Sequence, residues 1–85
     1  MTDPLEEIIV RQRVTAAANL VAGRQKLFVS EVFQPSKGDS IWTIRFTGAS
    51  RNYQVSIEAR ADDKGDGIGD KIENGLTLEM AKSAS

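Results

Sequence analysis

Residues 40–59 read Ser40-Ile41-Trp42-Thr43-Ile44-Arg45-Phe46-Thr47-Gly48-Ala49-Ser50-Arg51-Asn52-Tyr53-Gln54-Val55-Ser56-Ile57-Glu58-Ala59. Two alternating runs flank a short turn. In the second run Tyr53, Val55, Ile57 and Ala59 share one face, while Gln54, Ser56, Glu58 and Arg60 share the other, which is polar throughout. Alternation of this kind is the mark of a strand buried on one side only. In the first run Trp42, Ile44 and Phe46 oppose Thr43, Arg45 and Thr47, and Ile41 is the one apolar residue out of phase. The connection from Gly48 to Asn52 is long enough only for a reversal, so the two strands are antiparallel neighbours. Some other part of the chain must therefore cover Trp42, Ile44, Phe46, Val55 and Ile57.

Working toward the N-terminus, Gln34 to Asp39 is a turn punctuated by Pro35 and Gly38. Before it, Lys26 to Phe33 is rich in β-branched and aromatic residues and reads as a strand. Leu27, Val29 and Phe33 are expected on one side, Phe28 and Val32 on the other, so apolar groups face both ways. The first segment is helical. Asp3 suits an N-cap, Pro4 the first helical position, and Glu6 closes a near capping box. Val10, Val14, Ala17 and Val21 recur at helical spacing as one stripe, which Ile9 and Leu20 widen on one flank and Ala18 on the other. Glu7 and Arg11 stand four apart in the favourable order. Gly23 is a natural stop, with Arg24 and Lys26 beyond it, so the spacing predicts a helix over 4–22. Leu5 and Ile8 lie away from the centre of the stripe.

Toward the C-terminus, Asp62 to Gly75 is rich in glycine and charge. Beyond it Leu76, Leu78 and Met80 alternate with Thr77, Glu79 and Ala81, which predicts a fourth strand over 76–81 and a frayed tail from Lys82 to Ser85. A helix from Asp70 competes with that reading, because Ile72, Leu76 and Met80 stand four apart. Asn74-Gly75 inside such a helix costs about 1.5 kcal/mol in propensity, which favours the strand. The expected fold is a single α+β domain over residues 1–85: an N-terminal helix packed on a three- to four-stranded antiparallel meander, with strands near 26–33, 40–47, 53–61 and 76–81. Its outline is similar to cystatin-like helix-on-meander folds, a likeness of architecture that carries no function.

The segment Asp62-Asp63-Lys64-Gly65-Asp66-Gly67-Ile68-Gly69-Asp70-Lys71-Ile72-Glu73 resembles the twelve-residue calcium loop of EF-hands and the Asp-rich stretches of thrombospondin-type calcium repeats. The EF-hand resemblance implies Asp62, Asp66, Asp70 and Glu73 as side-chain ligands, Ile68 as a carbonyl ligand and Gly67 as the sharp turn between them. Lys64 departs from the pattern by putting a cation where an oxygen ligand belongs, Gly69 by replacing an apolar residue, and the preceding strand by replacing an entering helix. Calcium bound by such a loop would bind weakly, at roughly millimolar concentration.

The 85 residues contain no cysteine and no histidine. Thiol chemistry and iron–sulfur clusters are thereby excluded, as are the commonest general base and the commonest transition-metal ligand. Glu58 and Arg60 have no nucleophile beside them, so no catalytic residue is assigned and the chain is not expected to be an enzyme. Eleven basic residues against twelve acidic ones give a formal charge of −1, with the cations scattered, and no nucleic-acid partner is expected. The aromatic residues Trp42 and Phe46 share a face with Ile44 and read as core, not as a stacking platform. No apolar run is long enough for a membrane span, and the segment Met1-Thr2-Asp3-Pro4 does not suit a signal peptide, so a cytoplasmic protein without membrane attachment is expected. What remains is a small protein-interaction module, an adaptor, inhibitor or assembly subunit, with a protein partner or a homodimer formed through Leu5, Ile8, Phe28 and Val32. The alternative is a calcium-binding module using 62–73; no other cofactor is expected.

Overall fold

The computed structural model describes residues 4–36 and 39–84. Along the chain lie α1 (Pro4–Arg24), β1 (Phe28–Phe33), β2 (Ile41–Thr47), β3 (Asn52–Glu58) and α2 (Gly65–Ala84). The three strands form an antiparallel meander in the order β1-β2-β3. Both helices cover the same face of it. The stripe Val10, Val14, Ala17 and Val21 joins Trp42, Ile44, Phe46, Val55 and Ile57 in one buried cluster, as the alternation required, and Ile68, Ile72 and Leu76 of α2 complete it.

The fourth strand expected over 76–81 is instead the second half of α2. Ile68, Ile72 and Leu76 follow one another at four-residue spacing and are all buried, whereas Leu78 points to solvent. Burying a side chain such as Ile72 or Leu76 is worth roughly 1.5–3 kcal/mol each, which outweighs the propensity penalty of Asn74-Gly75. Gly75 also has a packing role. A Cβ built there would come within 2.6 Å of Val55 Cγ1, so only glycine lets α2 lie this close to β3. The residues expected to fray from Lys82 onward continue the helix as far as Ala84.

At its other end α1 runs past Gly23 to Arg24. It closes where Lys26 adopts a left-handed conformation, φ 58°. The Leu27 N–H donates to the Ala22 carbonyl at 2.8 Å and the Lys26 N–H to the Gly23 carbonyl at 3.5 Å. This is the Schellman arrangement with lysine where glycine is usual. It turns Leu27 onto the core. The N-cap expected at Asp3 lies outside the described residues.

A bulge reshapes β1. Val29 pairs with Phe46 and Val32 with Ile44, on the covered face, while Phe28 pairs with Thr47, Glu31 with Arg45 and Phe33 with Thr43, on the open face. The register shifts between Val29 and Glu31, leaving Ser30 as the extra residue, its hydroxyl donating to the Arg45 carbonyl at 3.1 Å. One inserted residue reverses the facing of everything after it. The expected sides of Val32 and Phe33 are thus exchanged: Val32 packs on the core and Phe33 stands outside.

Side chains from one layer fasten backbone of another. Arg13 on α1 donates to the carbonyls of Ala61 and Asp63, just before α2, and Lys71 on α2 donates to the Glu58 carbonyl at 2.9 Å. Arg24 meets Glu73 at 3.3 Å. These contacts run in the same order along both helices, so α1 and α2 lie side by side with the same sense.

Candidate functional site

The open face of the sheet is a finished polar surface. Arg45 stands at its centre between Glu31, at 3.6 Å, and Gln54, at 3.3 Å, and lies over the Phe33 ring at 5.3 Å from its centroid. Thr43 and Ser56 share a hydrogen bond of 3.0 Å. Phe28, 76% exposed, stands at one corner of this face, which Phe33 shares.

The helix layer is different. Leu5 and Leu20 are 67% and 66% exposed, Ile8 52% and Ile9 41%. Leu20 precedes buried Val21 and Ile9 precedes buried Val10, and neighbours on a helix stand about 100° apart. Ile9 and Leu20 therefore do not widen the core stripe, as their apolar character suggested. With Leu5 and Ala16 they form a second apolar crest on the solvent side of α1. The sequence signal for it was the spacing of Leu5, Ile9, Ala16 and Leu20, which repeats every turn or two on its own line.

The four residues expected at an interface do not form one patch. Leu5 and Ile8 sit together on α1, Phe28 stands on the opposite side of the sheet, and Val32 is half-buried against the core.

Two depressions adjoin the helices. At the start of α1 a cleft of about 580 Å³ is floored by Val10, Trp42 and Ala59 and rimmed by Glu6, Glu7, Asp39, Asp62 and Arg60. Between α1 and the first turns of α2 runs a groove of about 370 Å³, with Leu20, Arg13 and Arg24 on one bank and Asp66 and Asp70 on the other.

The residues of the calcium resemblance are spread rather than gathered. Asp62 belongs to the turn before α2, while Asp66, Asp70 and Glu73 follow along the helix. Ile68 is fully buried, and its backbone is helical. A calcium loop needs its oxygens to converge around a sharp turn, whereas the helix strings Asp66, Asp70 and Glu73 along one face about a turn apart, with Asp62 outside it. Among the described residues no group of three or more acidic side chains could hold a metal ion. No helix among them is long and apolar enough to cross a membrane.

No protein family matches this chain, no curated protein is significantly similar to it and no solved structure matches its fold.

Proposed function

We propose that this domain is a non-catalytic interaction module that presents the outer crest of α1 to a protein partner. The observation that carries this reading is the second apolar line on α1. Ile9 and Leu20 lie in solvent beside Leu5 and Ala16, although the core stripe of the same helix is already complete without them. Single exposed leucines are ordinary, but a line of them along one helix face is the form in which a helix meets another apolar surface. Its shape suits a partner helix or groove, because anchors spaced by a turn or two are read together.

The test is affinity capture from source cells with the wild-type domain, an Ile9→Ser/Leu20→Ser variant, and a Gln54→Ser variant on the open sheet face. The crest variant is expected to lose the specifically captured protein and the sheet variant to keep it, with circular dichroism showing all three folded. Capture that ignores the crest but fails with Gln54→Ser would move the interaction to the sheet and end this reading.

A further inference from the structure

We propose that the partner of the α1 crest is a second copy of this chain, joined about a two-fold axis that seats Leu20 of each copy in the α1–α2 groove of the other. The inference rests on the interaction reading and names its partner. It begins from two glycines. Gly75 is required by its contact with Val55, but a Cβ at Gly65 would meet nothing within 4 Å, and one at Gly69 would meet only Ala17 Cβ, at 4.0 Å, an ordinary contact. The fold does not need glycine at either position. What the two glycines do is keep the groove open to solvent between the helices, with room for an aliphatic side chain.

The groove carries both halves of a joint. Leu20, exposed on its bank, is a knob of the kind that the groove would accept. The banks carry opposite charges: Arg24 on α1, with a side chain 62% exposed in its pairing with Glu73, and Asp66 and Asp70 on α2, which have no ion pair among the described residues. A foreign partner of one charge would match one bank and be repelled by the other. A second copy turned by a two-fold axis matches both, because the rotation lays its α1 antiparallel on the first and sets Arg24 against the aspartates twice over. Self-complementarity of knob, hole and charge in one patch is what an isologous interface requires.

Sedimentation velocity at the highest soluble concentration reads the outcome. The wild-type chain is expected as a dimer. Arg24→Glu alone, and Asp66→Arg/Asp70→Arg alone, are each expected as monomers, because both place like charges across the joint. Mixed in equal amounts the two variants should form a dimer again, since every contact between them is then opposite in sign. Recovery on mixing also shows that each variant was folded. Gly69→Gln adds a second arm: it fills the groove and improves helix propensity, so a monomer with a raised melting temperature is expected. A wild-type monomer, a mixture that fails to recover the dimer, or a Gly69→Gln dimer overturns the proposal. A wild-type monomer that still captures another protein through Ile9 and Leu20 overturns the two-fold joint while leaving the interaction reading in place.

Discussion

Two backbone positions show most directly how local chemistry and packing compete in this protein. Lys26 holds a left-handed conformation that costs an L-residue about 1–2 kcal/mol, partly offset by the extra freedom that glycine would carry into the unfolded chain. Lys26→Gly is therefore expected to stabilise the domain by up to about 1 kcal/mol, read as a higher urea midpoint with an unchanged slope. A lower midpoint would mean that the lysine side chain contributes more than its backbone costs. Gly75 has the reverse sign. Alanine there gains about 1 kcal/mol of helix propensity, yet its Cβ would collide with Val55, and overpacking of this kind costs about 1–3 kcal/mol. Gly75→Ala is expected to be destabilising in wild type and to be rescued in part by Val55→Ala. Urea midpoints of the four members of that cycle isolate the contact, and additivity of the two changes would refute it.

At the scale of elements, the alternating runs of β2 and β3 and the core stripe of α1 were legible because each has a single exposed face and a single period. The parts that were not legible are those where a tertiary contact overrides the local rule. In α2, Gly75 reads as a helix breaker until Val55 is seen beneath it, and Leu78 mimics alternation between Leu76 and Met80. In β1, nothing about Ser30 marks it as the extra residue, because a bulge is defined by its partner strand. The crest of α1 was half legible: Leu5 and Ile8 stood out, but Ile9 and Leu20 looked like margins of the core stripe. The Asp-rich segment shows the same competition as α2. Its spacing resembles a calcium loop, while Ile68 and Ile72 inside it are drawn into the core as part of a helix. Helical geometry keeps Asp66, Asp70 and Glu73 from converging, so the melting temperature is expected to be the same in chelator and in calcium at about 10 mM, well above what even a weak site needs. A rise of several degrees would show that the segment leaves the helix to wrap an ion.

For the molecule as a whole, the decisive feature is that one sheet face is covered by the first and the last of the five elements, lying side by side. The sheet itself is made of consecutive strands and needs only local reversals, but the helix layer is closed by Arg13 reaching Ala61 and Asp63 and by Arg24 reaching Glu73. During synthesis this order imposes a wait. The meander is complete at Glu58, 18 residues before Leu76, and at about 5–20 residues per second the interval is roughly 1–4 s. Through those seconds the meander has only half of its cover, and Trp42, Ile44 and Val55 stand open to whatever binds nascent chains. The arrival of α2 closes this face, and a translational pause within α2 is expected to prolong the interval in which such binding can occur.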